Sequence, residues 1–214
     1  MKKIILILFL FLSCYIIYNA TEEKGLSCLV IGDTIADNEY IKQNNQIINY
    51  NNTYINQDYR IIDLINIIKY NEEKELDNKK ISIHRLLKNT DILIISIGMN
   101  DLYYKLNTDN INIYTYLNNM LNNMEILLNE INKYNYKKVY ILGYYNITNK
   151  NNDLFKYINY KLETLSNKYN YNYIELNEII RNNSNYLKNN QNFNLNKEGY
   201  NKISKIIVEN LKKY

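Results

Sequence analysis

Three short polar motifs contain the side chains of this chain that are best suited to chemistry. GDT at 32–34 supplies a carboxylate and a hydroxyl, and GMND at 98–101 supplies an amide and a second carboxylate. A third motif, QNFNLNKEGY at 191–200, precedes a helical pattern. A hydroxyl can act as a nucleophile when a base activates it, and amide N–H groups can stabilise the charge that develops. Each motif alone is a weak signal, but their order and spacing together are much more specific.

Alternating strand and helix patterns must position these motifs. Four largely apolar runs predict strands, and helical periodicity fills the segments between them. Continuous apolar runs are typical of a parallel sheet that is covered on both faces. The sequence therefore predicts an α/β fold, a three-layer α/β/α sandwich with a central parallel sheet and right-handed crossovers. The predicted strands are 26–31, 92–97, 139–142 and 171–176, and the predicted helices are 61–68, 83–87, 117–131, 154–165 and 200–211.

Glycines mark the ends of three predicted strands. Gly32, Gly98 and Gly143 each follow an apolar run directly. In open parallel sheets, ligands bind in the crevice at the carboxyl ends of the strands. The first two motifs are therefore expected to meet at one edge of the sheet.

The three motifs together resemble the SGNH, or GDSL-type, hydrolase family of esterases, lipases and acyl hydrolases. The resemblance covers nearly all of a predicted domain at 26–214, and it implies the flavodoxin-like SGNH-hydrolase architecture. The family's Gly-Asp-Ser block is matched by GDT at 32–34, and its Gly-x-Asn-Asp block by GMND at 98–101. Its Asp-x-x-His block falls on 191–194, and its second block, which contains a glycine, is best placed with Gln57 at that glycine.

The resemblance implies a role for each matched position. In the family, a serine attacks an ester, a histidine removes its proton and an aspartate orients the histidine. Thr34 stands at the nucleophile, Asn100 at the side-chain oxyanion donor and Asn194 at the base, while Gln191 replaces the aspartate. An amide is not basic at neutral pH, and the methyl group on Cβ of Thr34 crowds the path of attack. The usual triad is therefore expected to be incomplete.

No other residue is an obvious replacement for the missing base. His84 is the single histidine, and it precedes the predicted strand at 92–97 whereas Asn100 follows it. The two ends of such a strand are roughly 20 Å apart. Lys197 is the nearest lysine to the third motif, but no pattern around it predicts the burial that would lower the pKa of a lysine.

The resemblance also predicts a set of ligand-binding positions around the cleft. Asp33 and Asp101 could equally brace the loops at the edge of the sheet. The positions predicted to line the cleft are Gly32, Asp33, Gln57, Gly98, Asp101, Asn146 and Gln191.

The segment 1–20, MKKIILILFLFLSCYIIYNA, predicts a signal peptide or membrane anchor. Two lysines precede an apolar run from Ile4 to Tyr18, which is short for a membrane-spanning helix. Cleavage, lipidation at Cys14 and retention as an anchor all remain open. Each outcome places the domain outside the cytoplasm, because the two lysines stay inside.

Composition excludes some classes of function. The net charge is only +4, and the 24 tyrosines and many asparagines are spread through apolar patterns. This is too little positive charge for a nucleic-acid surface, so no nucleic-acid partner is expected. No cofactor or metal is expected either. A nucleotide-binding flavodoxin-like protein is a weaker alternative, because the segment after Gly32 lacks a glycine-rich phosphate loop.

Two functional hypotheses follow. The first, favoured here, is a degenerate extracytoplasmic member of the family with little or no ester hydrolysis, which keeps its cleft to bind a small ester, lipid or glycan. The second is an active esterase that cleaves acyl or acetyl esters of lipid or glycan, with Thr34 as the nucleophile.

Overall fold

The computed structural model describes most of the predicted domain. It covers residues 25–33, 50–56, 58–76, 79–106, 112–146, 151–181, 183–186 and 195–213. The predicted signal segment at 1–20 lies outside these residues, so the domain boundary stays a prediction. Within the described ranges, no helix combines the length and the apolar composition of a membrane span.

A five-stranded parallel sheet forms the centre of the domain. Its order is β2-β1-β5-β6-β7, and every neighbouring pair is parallel. Strands β3 and β4 form a separate antiparallel hairpin. The strands are β1 Ser27–Gly32, β2 Tyr50–Ile55, β3 Glu73–Leu76, β4 Lys79–Ser82, β5 Ile92–Ser96, β6 Lys138–Leu142 and β7 Asn172–Ile174.

Helices flank the sheet and complete the predicted α/β architecture. Their apolar stripes pack against the strands, as the helical periodicity predicts. The α-helices in the described ranges are α1 Ile61–Lys69, α2 Ile83–Lys88, α3 Met99–Leu106, α4 Ile113–Ile131, α5 Asn152–Lys168, α6 Asn177–Arg181 and α7 Lys197–Leu211. A 3₁₀ turn, Ser184–Tyr186, lies between α6 and α7.

The two central strands are the most deeply buried. In β5 all five residues are buried, and the apolar residues of β1 from Cys28 to Ile31 are at most 1% exposed. Each of these strands pairs on both sides and lies beneath helices, which explains why their sequences are apolar without alternation. Cys28 is a core residue, and its burial raises the pKa of its thiol to about 12.

The amino ends of the strands are joined by one carboxylate. Asp91 precedes β5, and its Oδ2 accepts hydrogen bonds from the backbone N and from Oγ of Ser27, both at 2.9 Å. Lys137 Nζ lies 3.1 Å from Asp91 Oδ1. These contacts, led by the backbone hydrogen bond from Ser27, lower the pKa of Asp91. Asp91 therefore ties β1, β5 and the segment before β6 together at this edge.

Candidate functional site

The first two motifs meet at the carboxyl edge of the sheet, as the sequence predicts. Gly32 ends β1 with φ +134°, and Gly98 follows β5 with φ +112°. A Cβ at Gly32 would lie 1.7 Å from the carbonyl oxygen of Ser96. Glycine at position 32 therefore allows the ends of β1 and β5 to approach closely while the backbone takes a left-handed turn.

Asp33 joins the two motifs from the inside. Its side chain is 2% exposed, and Oδ2 accepts hydrogen bonds from the backbone N of Gly98 at 2.9 Å and of Asn100 at 3.2 Å. Its own backbone N donates to the Ser96 carbonyl at 2.7 Å. The carboxylate thereby stabilises the turn into α3. Of the two roles considered for Asp33, lining the cleft and bracing the loops at the edge of the sheet, these contacts correspond to the second.

Asn100 lies in the first turn of α3, beside the end of β2. Its Nδ2 donates a hydrogen bond to the backbone carbonyl of Tyr59 at 2.8 Å. The loop that contains Tyr59 is tied to β1, because the backbone N of Asn56 donates to the Gly32 carbonyl at 3.1 Å. The position matched to the family's oxyanion donor therefore has a fixed side-chain orientation at the edge of the sheet.

Asp101 faces the interior of the domain. It is 7% exposed, and Oδ2 accepts a hydrogen bond from the backbone N of Ile61 at the start of α1, at 3.1 Å. Burial raises the pKa of Asp101 to about 6, and the hydrogen bond from Ile61 offsets part of that rise. Tyr116 from α4 donates to the backbone carbonyl of Asp101 at 3.0 Å. Asp101 thus connects α3 to α1 and α4.

Asn146 closes the neighbouring part of the edge, after β6. It is 2% exposed; its backbone N donates to Asn177 Oδ1 at 2.7 Å, and its Nδ2 donates to Asn152 Oδ1 at 2.7 Å. Asn159 clamps the same segment through two 2.8 Å hydrogen bonds to the backbone of Tyr144. Asn146 therefore links β6 to α5 and α6 through buried amides.

Three further residues shape this edge, and the sequence did not identify two of them. Tyr144 is fully buried below Gly98, where a Cβ at position 98 would lie 2.6 Å from its hydroxyl oxygen. Lys105 is 3% exposed, with Nζ 5.6 Å from the centroid of the Tyr116 ring. Asn159 was also missed. A polar or charged residue in a helix normally indicates an exposed face, so the sequence held no signal for Lys105 and Asn159. Tyr144 instead belongs to LGYYN at 142–146, which looks like a strand-end segment of the family.

Four of the predicted site residues lie outside the described residues. They are Thr34, Gln57, Gln191 and Asn194. Their roles as nucleophile equivalent, second-block position, and equivalents of the orienting acid and base remain predictions.

The described end of the third motif is a well-formed helix start. Asn196 caps α7, and its Oδ1 accepts from the backbone N of Gly199 at 3.0 Å. The backbone N of Asn196 donates to the Tyr186 carbonyl at 2.8 Å, and Leu195 is buried. A Cβ at Gly199 would lie 2.7 Å from the Tyr186 carbonyl oxygen, so glycine is needed for this packing. The loop that precedes α7 is thus anchored at its carboxyl end.

His84 lies at the opposite edge of the sheet from these motifs. It is the second residue of α2, which precedes the amino end of β5, and its Nε2 is 2.6 Å from the Ile68 carbonyl oxygen. Its ring packs beside Tyr134, with centroids 6.0 Å apart. The length of β5, about 17 Å at 3.3 Å per residue, separates it from Asn100. The single histidine of the chain therefore cannot reach the carboxyl edge of the sheet, where the first two motifs lie.

The described groups at the carboxyl edge can bind and orient but do not form a proton relay. The carboxylates of Asp33 and Asp101 accept backbone hydrogen bonds within the fold, and Asn100 supplies an amide. No group of three or more His, Cys, Asp or Glu side chains in the described ranges could hold a metal ion. Hydrogen-bond donors fixed at a strand edge suit the binding of a carbonyl or hydroxyl oxygen.

No protein-family model and no curated protein matches this sequence. Solved structures do match. The acetyl xylan esterase AlAXEase is 16% identical with a TM-score of 0.63, covering 86% of this chain and 99% of that one. Axe2, an acetylxylan esterase from Geobacillus stearothermophilus, is 13% identical with a TM-score of 0.63, covering 86% and 93%.

The chain has the SGNH/GDSL-type hydrolase fold. The psychrotrophic esterase EstA from Pseudoalteromonas sp., in a structure inhibited by monoethylphosphonate, matches with 14% identity, a TM-score of 0.58 and coverage of 87% and 97%. Catalytic mutants of Axe2, in which a serine, an aspartate or a histidine is replaced by alanine, match with the same fold. The comparison confirms the predicted architecture and the fold to which the three motifs pointed.

Proposed function

We propose that this protein is a degenerate member of the SGNH hydrolases that binds a small ester or an acylated glycan in its cleft and hydrolyses it little or not at all. The observation that carries the proposal is the position of His84. It is the only histidine of the chain, and it lies at the amino edge, behind the full length of β5. A base must be within hydrogen-bond reach of the nucleophile, about 2.6–3.2 Å.

Among the described residues at this edge, the two buried carboxylates do not replace the histidine. Asp33 is committed to the backbone of Gly98 and Asn100, and Asp101 to the backbone of Ile61. Loss of a triad member typically lowers turnover by about four orders of magnitude. Because Asn194 and Gln191 stand where the base and its orienting acid would be, two members are replaced together.

The ligand class follows from the cleft and from the structural neighbours. The brace formed by Asp33 fixes Asn100 beside the end of β1 and maintains a polar binding edge without a base. Two proteins with the same fold, AlAXEase and Axe2, are acetyl xylan esterases. An acyl group on a carbohydrate or another small ester is therefore the ligand class that we propose for the cleft.

The proposed location is outside the cytoplasm, at the cell envelope. Its support is the sequence of the segment 1–20, in which two lysines precede an apolar run that contains Cys14. Fusing residues 1–24 to a periplasmic alkaline phosphatase reporter tests this: phosphatase activity in intact cells is expected. Activity confined to lysates would contradict it.

Covalent labelling with a fluorophosphonate, together with hydrolysis of p-nitrophenyl acetate, tests the lack of catalysis. The full-length chain is expected to show neither, and Thr34→Ala should not change either signal. Labelling that disappears in Thr34→Ala would instead establish the active esterase with Thr34 as its nucleophile. The esterase alternative is favoured by one observation, the retained and oriented amide of Asn100.

Restoring the triad tests whether residues 34, 191 and 194 are correctly matched to its three members. The triple variant Thr34→Ser, Gln191→Asp, Asn194→His should gain phosphonate labelling and ester hydrolysis. Adding Asn100→Ala to it should lower turnover by about 10²–10³-fold, which is typical for loss of an oxyanion donor. A triple variant that folds and stays inert would show that these positions do not meet.

Binding is tested separately by saturation-transfer NMR with acetylated xylotriose. The full-length chain is expected to give a saturable signal from the acetyl protons, and Asn100→Ala should weaken it. Asp58→Ala is a suitable control, because Asp58 is exposed near the same edge. An acetyl signal equal in wild type and Asn100→Ala would contradict binding in the cleft.

A further inference from the structure

A cavity of about 370 Å³ lies at the amino ends of β6 and β7, on the opposite edge of the sheet from the motifs. Four tyrosines line it, Tyr134 and Tyr136 from the segment before β6, and Tyr169 and Tyr171 from the segment before β7. Its size is within the range of small-ligand sites. Nothing in the proposed function uses this cavity.

The tyrosine rings are arranged in two neighbouring pairs. The rings of Tyr169 and Tyr171 stack with centroids 5.7 Å apart and planes 27° apart. Those of Tyr134 and Tyr136 are 6.3 Å apart and tilted by 45°. All four side chains are half-buried, so each packs on the core while part of its ring remains at the surface. Such rings offer apolar contact area at low cost in conformational entropy.

Hydrogen bonds fix the rings of Tyr169 and Tyr171. Tyr169 donates from its hydroxyl to Asn129 Oδ1 at 2.6 Å, and Tyr171 donates to Asn132 Oδ1 at 3.2 Å. These bonds connect the residues that follow α5 to the carboxyl end of α4. The ring positions are therefore set before any ligand arrives, which lowers the cost of binding.

Amides supply the polar part of the lining. Asn132, Asn135, Asn170 and Asn172 all border the cavity. Asn132 Oδ1 already accepts from Tyr171, and Asn172 Nδ2 donates to the Val139 carbonyl at 3.1 Å. A primary amide has two N–H donors and an oxygen with two lone pairs, so one such bond leaves it further capacity for a ligand hydroxyl. Asn170 is held at φ +58°, in the turn between α5 and β7, which places it at the rim.

The charge of the lining is small and partly neutralised. It includes no aspartate or glutamate, so it offers no carboxylate to a cationic ligand. Of its two lysines, Lys137 is paired with Asp91 at 3.1 Å. Binding to a phosphate backbone relies on several cations, which this lining lacks. The four amides equally disfavour a hydrocarbon chain, because their polar groups would be desolvated.

We propose that this tyrosine–asparagine cavity binds a neutral oligosaccharide. A pyranose ring has apolar C–H faces and a rim of hydroxyl groups, each both a donor and an acceptor. The exposed parts of the tyrosine rings offer a small apolar contact for one face, and the asparagine amides and tyrosine hydroxyl groups, which form most of the lining, match the hydroxyls. The site is separated from the cleft by the length of β6, about 17 Å at 3.3 Å per residue, so both can be occupied together.

Isothermal titration of the full-length chain in mild detergent tests the proposal, with xylohexaose and cellohexaose as neutral probes. Saturable binding of at least one is expected. Tyr171→Ala should weaken it by roughly tenfold or more, as expected for loss of an aromatic anchor. Tyr160→Ala is the matched control, because Tyr160 lies on α5 at 65% exposure and outside the cavity lining.

A second variant keeps the test decisive if Tyr171→Ala does not fold. Asn135 is exposed at the rim, so Asn135→Trp should obstruct the cavity without removing core contacts, and binding should be lost. No saturable binding of either oligosaccharide would overturn the proposal, as would binding unchanged in both variants. Binding of a dT12 oligonucleotide in place of the sugars would also overturn it.

The outcome is independent of the cleft. Asn100→Ala should leave xylohexaose affinity unchanged, because Asn100 lies at the carboxyl edge. Sugar binding that was lost in Asn100→Ala and kept in Asn135→Trp would assign it to the cleft and overturn the proposal here. Failure of acetylated xylotriose to bind at the cleft would leave the cavity result standing.

Discussion

At the scale of the residue, Asp33 shows how a family motif can serve structure. Its carboxylate is buried between two strand ends, where it receives the backbone N–H groups of Gly98 and Asn100. An amide N–H that is buried without an acceptor is costly, so a residue in this position is constrained even where no reaction takes place. The fold therefore accounts for Gly32, Asp33 and Gly98 in these motifs, whether or not Thr34 is a nucleophile.

Replacing Asp33 should test this directly. Asp33→Ala leaves two buried N–H groups without their acceptor and should lower the free energy of unfolding by about 2–4 kcal/mol. Asp33→Asn keeps one oxygen acceptor and should cost less. Urea unfolding followed by circular dichroism measures both, with exposed Asp58→Ala as the control. Equal stability of wild type and Asp33→Ala would show that the brace contributes nothing.

Asp101 should make the stability of the protein depend on pH. Burial raises its pKa to about 6 in the folded state, against about 4 in the unfolded chain. Between these values the folded state keeps a proton that the unfolded state has lost. The contribution of Asp101 to the free energy of unfolding therefore falls as pH rises. Asp101→Asn should therefore gain stability relative to wild type from pH 4 to pH 7, by up to roughly 3 kcal/mol.

Asp91 provides a comparison within the same protein, because its pKa is shifted in the opposite direction to that of Asp101. Its pKa is lowered, chiefly by the backbone hydrogen bond from Ser27, so its contribution is present above its unfolded pKa and is lost as pH falls through the lowered value. Asp91→Asn should thus lose stability relative to wild type as pH rises through about 4. Urea unfolding across pH 3–7 measures both differences. A flat difference for Asp101→Asn would contradict its raised pKa.

At the scale of the element, the sequence predicts the strands that are buried on both faces. β1, β5 and β6 are continuous apolar runs because they pair on both sides and lie beneath helices. β2 was missed, because YNNTYI belongs to an edge strand that has a single neighbour and little apolar sequence. The hairpin of β3 and β4 was missed for a similar reason, since its strands EKEL and KKIS are mostly charged and exposed.

The interior of the site was harder to predict than the fold. α3 begins at Met99, inside a motif that is also typical of a turn, and no helical periodicity predicts it. Lys105 and Asn159 are polar residues whose burial depends on partners from other elements, Tyr116 and the backbone of Tyr144. Such partners are fixed by tertiary contacts, which a pattern along one segment does not encode.

The start of α7 offers a test at this scale. Asn196 caps the helix through its Oδ1, which accepts from the backbone N of Gly199. Asn196→Ala should lower the free energy of unfolding by about 1 kcal/mol, whereas Asn196→Asp keeps the acceptor and should cost little. Thermal unfolding compares the two. An aspartate variant as unstable as the alanine variant would show that the hydrogen bonds of the Asn196 Nδ2, including that to the Asn185 carbonyl, matter more than the cap.

At the scale of the whole molecule, the two edges of the sheet carry different chemistry. The carboxyl edge holds the braced motifs, and the amino edge holds Asp91, His84 and the tyrosine–asparagine cavity. Between them, β1 and β5 are deeply buried, with every apolar residue at most 4% exposed. A rigid sheet of this kind lets the two edges bind independently, because neither site shares side chains with the other.

The same layout predicts which strands unfold locally and which unfold only with the whole domain. Interior residues such as Leu29, Val30 and Ile94 are fully buried in strands paired on both sides, whereas the β3–β4 hairpin is a two-stranded sheet with exposed Glu73 and Lys80.

Native-state hydrogen exchange should therefore show the amides of β1 and β5 exchanging only through global unfolding, with protection that falls with denaturant at the full m-value. The hairpin amides should exchange through local opening with little dependence on denaturant. Amides of β2 should lie between these limits, because the strand pairs only with β1. Hairpin protection equal to that of β5 would show that the hairpin unfolds with the core and that its exposed surface is stabilised by contacts beyond its own pairing.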